Sequence, residues 1–105
     1  MTPNIREYFR EKGITSIDNL ESDDQWVWCI VKNCNIAQTK NGKSYLRIKV
    51  YGESGITKQC FCWNFDIKKG HKLIPDNTLI ISRFKSSDFG LSTFWNGIDI
   101  ISEKE

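Results

Sequence analysis

The sequence predicts a mainly β domain: a five-stranded barrel preceded by a short N-terminal helical segment. Three observations carry that expectation. Residues 45 to 51, YLRIKVY, alternate apolar and polar without a break, the signature of a half-buried strand. Residues 26 to 38, WVWCIVKNCNIAQ, are rich in β-branched and aromatic side chains. Helical spacing is confined to residues 3 to 22.

Taken in order, residues 3 to 22 place Ile5, Tyr8 and Phe9 on one helical stripe, with charged residues around it. Gly13 suits the end of that helix, and Ser16 or Asp18 suits the cap of a second short turn. The segment reads as a lid packed on the rest or as a link to something upstream. The run from Gln25 is long enough to bend across two sheets. TKNGKS follows, an Asn-Gly hairpin signal between lysines. The alternating strand 44 to 51 leads through the turn GESG into a third strand, 56 to 63. Residues 64 to 77 form a connector with room for one short helix or a few turns before Pro75. TLIISRFKSS, the turn DFG and LSTFWNGIDII then make a closing hairpin of two strands. The domain limits are therefore 1–22 for the helical segment, 23–102 for the barrel and 103–105 for a solvated tail.

Five strands with a connector between the third and fourth match an OB-fold barrel, whose strand 2–3 face and 1–2 and 4–5 loops bind nucleic acids or oligosaccharides. A short β-sandwich or an SH3-like barrel competes with it on strand count alone.

The composition sets bounds on function. With 105 residues the chain suits one domain and one modest core. It is 39% hydrophobic and 27% charged, ordinary for a soluble globular protein. No apolar run approaches the roughly 18 residues of a membrane span. Residues 1–10 lack the apolar core of a signal peptide, and no Asn-x-Ser/Thr site occurs. A cytoplasmic setting with no membrane partner is the expectation. The net charge of +2 is only mildly basic, so distribution must identify any nucleic-acid binder.

VWCIVKNCNIAQTKNGKSYLRIKVYGESG, a strand ending in Trp63, and LIISRFKSSDFGL together resemble the OB domain of bacterial and phage DNA polymerase III alpha subunits, within the wider anticodon-binding-like OB family. Val27, Ile30, Val31 and residues 39 to 43 match the early part of that pattern, and residues 83 to 90 the late part. IREYFREKGITSIDNLES is similar to the segment leading into that domain. The resemblance covers most of the chain, with motifs that OB domains share across several functions. It departs at the usual glycines of the first and fourth strands, which are Cys29 and Ser82 here. It implies an accessory domain or fragment working in DNA replication, with other domains or subunits of a replicative polymerase as partners.

The polar face of strand 44 to 51 is the candidate site. Tyr45, Arg47, Lys49 and Tyr51 place two rings and two cations on one side of one strand. Proteins holding single-stranded nucleic acid combine cations for phosphates with rings on which bases stack. If strand 56 to 63 pairs antiparallel with Cys60 and Cys62 inward, Phe61 and Trp63 extend the platform; a one-residue slip reverses this. Lys40, Asn41 and Lys43 occupy the first hairpin, and Arg83, Lys85 and Phe89 the last. The expected partner is single-stranded DNA, with RNA equally open to the residues themselves. Solvated strand surface is the plainer reading of the same pattern, since Tyr favours strands and Lys discourages edge pairing.

Trp26, Trp28, Trp63 and Trp95 are many for this length. Core packing is their default use, and a protein-binding surface is the other. That gives the alternative function: an OB-fold adaptor whose aromatic groove binds a protein partner.

Catalysis finds no support. DFG at 88–90 has no kinase companions, NGK lacks the Walker glycines, and no Ser-His-Asp or Cys-His set can be argued. Cys29, Cys34, Cys60 and Cys62 have spacings unlike zinc knuckles and read as free, core-filling thiols. Asp23 and Asp24 read as a capping or solvated pair, and His71 as a solvated loop residue. No metal, cofactor or catalytic residue is assigned.

Overall fold

The structure is a computed structural model and describes residues 3–87 and 90–102; the expected tail at 103–105 lies outside them. Helix α1 (Pro3–Glu11) precedes a two-residue strand β1 (Thr15–Ser16). Then come β2 (Gln25–Gln38), β3 (Ser44–Tyr51), β4 (Thr57–Trp63), β5 (Leu79–Ser87), β6 (Gly90–Phe94) and β7 (Ile98–Ser102).

The pairing closes. β2 runs antiparallel to β3, β3 antiparallel to β4, β4 parallel to β6, and β6 antiparallel to β5. β5 returns antiparallel to the first half of β2. These five strands form an OB-fold barrel, as the strand pattern predicts. One strand serves both seams: residues 25–30 of β2 pair with β5, and residues 30–38 with β3. The register shifts between Val31 and Asn33, a bulge that bends the strand at Lys32. Cys29 on β2 and Ser82 on β5 are both fully buried. The corner is turned by a bulge rather than by a missing side chain.

Alternation decides what lies inside. Val27, Cys29 and Val31 point inward from β2, Leu46, Ile48 and Val50 from β3, and Cys60 and Cys62 from β4. Ile17, Phe65 and Ile74 join this core from outside the strands. The buried hydroxyls of Ser82 and Thr93 bond each other at 3.2 Å, so neither is left unpaired.

The last predicted strand needs correction. Residues 91 to 101 do not run as one strand: a 3₁₀ turn, Trp95–Gly97, separates β6 from β7. Before the turn, β6 pairs with both β4 and β5; after it, β7 pairs with β5 alone. The interruption lets one edge of β5 receive two strands in succession. The connector does form a short turn, Ile67–Lys69, capped by the Asp66 carboxylate and ended by Gly70 at φ 89°.

The N-terminal segment is a lid. Helix α1 ends in a Schellman motif, with Ile14 N–H bonding Phe9 C=O at 2.8 Å and Gly13 N–H bonding Arg10 C=O at 3.1 Å. Gly13 takes the left-handed conformation, φ 77°. Phe9 is buried and stacks on Trp28 at 6.2 Å. Ile14, Ile30 and Ile81 complete this second, smaller core on the outside of the β2–β5 seam. Tyr8 faces solvent instead, with the Lys12 ammonium over its ring; the Ile5 side chain is outside the described set.

Ser16, Asp18 and the turn after β3 lock the lid down. Ser16 Oγ donates to Asp18 Oδ2 and accepts from the N–H groups of Asp18 and Glu53. Asp18 also accepts from Ser54 N–H and Ser54 Oγ. Gly52 is buried against this cluster, and a Cβ there would collide with Ser16 Oγ and approach Ile17 Cγ2 to 3.0 Å. We expect Gly52→Ala to destabilise the protein by about 1–3 kcal/mol, read as a lower denaturation midpoint.

Burial raises the Asp18 carboxyl, but the hydrogen bonds from Ser54 and Ser16, helped by Lys58, outweigh it and hold the group below its ordinary value. A folded-state value below the unfolded one adds stability that is full above about pH 4 and fades as pH falls through the lower value. Melting temperatures at pH 6 and pH 3 should therefore differ less in Asp18→Asn than in the wild type.

Candidate nucleic-acid interface

The lid covers the barrel over β2 and β5 and leaves the outside of β3 and β4 open. There the predicted platform assembles in the expected register. Leu46 pairs with Cys62 and Ile48 with Cys60, all inward; Arg47 pairs with Phe61, outward. Tyr45, Phe61 and Trp63 gather into one cluster. The Tyr45 and Trp63 centroids are 4.7 Å apart, Tyr45 and Phe61 6.1 Å, and Phe61 and Trp63 6.2 Å with planes 21° apart. All three are half-buried, so each keeps part of its surface in water.

Cations flank the rings. Arg47 is exposed between Asn35 on β2 and Phe61 on β4. Lys49 is exposed between Asn33 and Gln59, and Tyr51 ends the row opposite Ile30 and Thr57. The β2–β3 hairpin lies at the Tyr45 end. Thr39 N–H bonds Lys43 C=O, Gly42 N–H bonds Thr39 C=O, and Gly42 takes φ 85°. This is a three-residue loop with glycine in the left-handed position, not the two-residue turn that Asn-Gly suggests. Lys40, Asn41 and Lys43 project from it into solvent.

The last hairpin contributes less. Lys85 stands in the same cross-strand row as Phe61, through Ser92. Its partner is Asp24 at 3.9 Å, both exposed, an ion pair weak enough to exchange for a phosphate. Arg83 stands apart from the ring cluster, its guanidinium 5.1 Å from the Trp26 ring on the β2–β5 seam. Phe89 lies outside the described residues. Asp23 accepts from Ser86 N–H and Asp24 N–H bonds Phe84 C=O, so this pair ties the start of β2 to β5.

Two features escape the sequence reading. Phe94, nearly half exposed, pairs with Trp63 across the parallel seam and widens the ring surface. Its signal was the alternation of Thr93 inward and Phe94 outward. The second is His71, which is not a solvated loop residue. It is half-buried, stacked on Trp95 at 5.0 Å and 20°, with Phe65 beside it at 5.9 Å. Its Nδ1 accepts Asp66 N–H at 3.0 Å. Trp95 and His71 are distant in sequence, and no local pattern announces their contact. Both line an open cleft of about 940 Å³ between the hairpin and the connector.

Burial keeps the thiols in their neutral form. Burial pushes Cys60 and Cys62 up to about 12, raises Cys29 well above its ordinary value, and raises Cys34. Among the described residues no three His, Cys, Asp or Glu side chains gather to hold a metal ion, and no helix is long and apolar enough to cross a membrane. No family model and no curated protein matches the chain.

Cys34 is half-buried while the other three cysteines are buried. Alkylation of the native protein should therefore mark Cys34 first, and slowly, with the rest labelled only on unfolding, as peptide mass spectrometry would show.

Proposed function

We propose that the open face of the barrel binds single-stranded nucleic acid, without catalysis and with little sequence preference. One observation carries this reading: Tyr45, Phe61 and Trp63 form a single ring surface with Arg47 in register beside it and hairpin lysines at one end. Bases stack on rings of any partner sequence, each ring contributing about 1–3 kcal/mol, while the cations hold phosphates. Amides of Asn33, Asn35 and Gln59 lie in the same rows and suit sugar or base edges.

The setting we favour is DNA replication in the cytoplasm, as an accessory domain or fragment of a polymerase III alpha-like protein. Single-stranded DNA is the first ligand and RNA the second, with other domains of a replicative polymerase as neighbours. The sequence resemblance supports this setting; the ring surface supports the ligand class. With a net charge of +2, about three to five phosphate contacts and micromolar or weaker affinity at physiological salt are expected.

A second reading has one observation in its favour. Exposed Phe94 beside Trp63 enlarges the apolar area beyond what base stacking requires. An adaptor groove for a protein partner would use that area.

Salt separates the two. A tryptophan-fluorescence titration with oligo(dT) should saturate at about 50 mM salt and weaken roughly 20- to 100-fold by 200 mM. Tyr45→Ala and Arg47→Ala should each reduce affinity with the far-UV spectrum unchanged. Absence of binding at low salt to both oligo(dT) and oligo(U) would sink the nucleic-acid reading, and salt-insensitive capture of a peptide would install the adaptor in its place.

A further inference from the structure

The cleft beside the platform has its own chemistry. Trp63 belongs to both, as the last ring of the surface and as one wall of the cleft. A strand stacked along Phe61 and Trp63 therefore runs into it. Opposite walls come from the β2–β3 hairpin and from the connector that follows β4.

Its charge is one-sided. Lys43, Lys68 and Lys69 line it, all exposed, against a single carboxylate, Asp66. That carboxylate is already engaged, accepting Lys68 N–H at 2.9 Å. The histidine adds a directed donor. Because His71 Nδ1 accepts Asp66 N–H, the ring proton of the neutral imidazole sits on Nε2. Stacking on Trp95 holds the ring in place, and Nε2 has no hydrogen-bond partner among the described residues.

Three ammonium groups and a fixed N–H donor beside aromatic walls suit a phosphate of high charge next to a base. A phosphodiester within a strand carries one negative charge and continues in both directions. A phosphomonoester carries nearly two and ends the chain. The cleft volume of about 940 Å³ accepts a nucleotide and its phosphate.

We propose that this cleft seats the terminal phosphomonoester of a single strand whose neighbouring bases lie on the Tyr45–Phe61–Trp63 surface. The proposal rests on the single-strand reading above and adds end recognition to it. The phosphate lies among Lys43, Lys68, Lys69 and His71 Nε2–H, and either end of the strand can supply that chemistry.

Short oligo(dT) of one length would be compared at about 50 mM salt with a 5′-phosphate, a 3′-phosphate or hydroxyls at both ends. One phosphorylated form should bind about tenfold tighter than the hydroxyl form, the scale of one or two charge-assisted hydrogen bonds, and which form does so assigns the end. Lys68→Ala/Lys69→Ala, two exposed positions, should abolish the preference while changing hydroxyl-ended binding less than twofold. Tyr45→Ala should weaken all three forms alike.

Equal binding of the three forms to the wild type overturns the end-recognition proposal and leaves the platform standing. So does a preference that survives in the double-lysine variant. If no oligonucleotide binds, the platform reading has failed and the cleft is judged alone, by titrating deoxythymidine 5′-monophosphate into ¹⁵N-labelled protein. Shifts confined to residues around Lys43, Lys68 and His71 support the phosphate site, and an unchanged spectrum overturns it.

Discussion

The barrel depends on β2 turning a corner. Its 14 residues serve two seams, pairing with β5 over residues 25–30 and with β3 over residues 30–38. The bulge at Lys32 supplies the bend, and the connector pins it: Val31 N–H bonds Thr78 C=O at 2.9 Å, and Asn77 N–H bonds Val31 C=O at 2.6 Å. Asn77 takes φ 68° to make this pair, a conformation that asparagine tolerates better than most residues. With the corner fixed, the sheet has no choice but to close, and the inner apolar residues of every strand meet.

Closure also creates two outer surfaces with opposite chemistry. Over β2 and β5 the outward residues include Trp28, Ile30 and Ile81, and Phe9 of the helix covers them. Over β3 the outward positions are Arg47 and Lys49, which keep the surface wet and uncovered. On that open side the rings of Tyr45, Phe61 and Trp63 already pack on one another. Such ring contacts are worth about 0.5–1.5 kcal/mol beyond area, and they restrict rotamers in advance. A flat ligand laid on them therefore orders few side chains that the fold has not ordered already.

Where local pattern controls the outcome, the sequence was legible. The period-two alternation of residues 45 to 51 sets both faces of β3, and cysteine at 60 and 62 pairs with it because only that register buries the thiols. Gly13 and Ser16 cap as their chemistry requires. Three-dimensional contacts were not legible. The turn at Trp95–Gly97 follows from β5 having room for two partners along one edge, which no window of the sequence reveals. His71 stacks on Trp95 across 24 positions of chain, and its donor geometry exists only in the fold. Arg83 was read as a loop cation, and the cross-strand neighbour Trp26 is what draws its guanidinium onto a ring.

The antiparallel seams differ in how far apart in the chain their residues lie. β2, β3 and β4 form a meander through two tight turns, so the ring surface draws on pairs such as Arg47 and Phe61, 14 positions apart. The β2–β5 seam joins residues 49 to 59 positions apart, from Ile30–Leu79 to Gln25–Phe84. Loop-closure entropy weighs more heavily on the second, and topologies dominated by such distant pairings fold slowly. The meander can therefore nucleate on local contacts while the barrel is still open. During that interval its inner row of Leu46, Ile48 and Val50 faces water until β5 arrives, which makes the final closure the step at which a nascent chain is most exposed to association with its own kind.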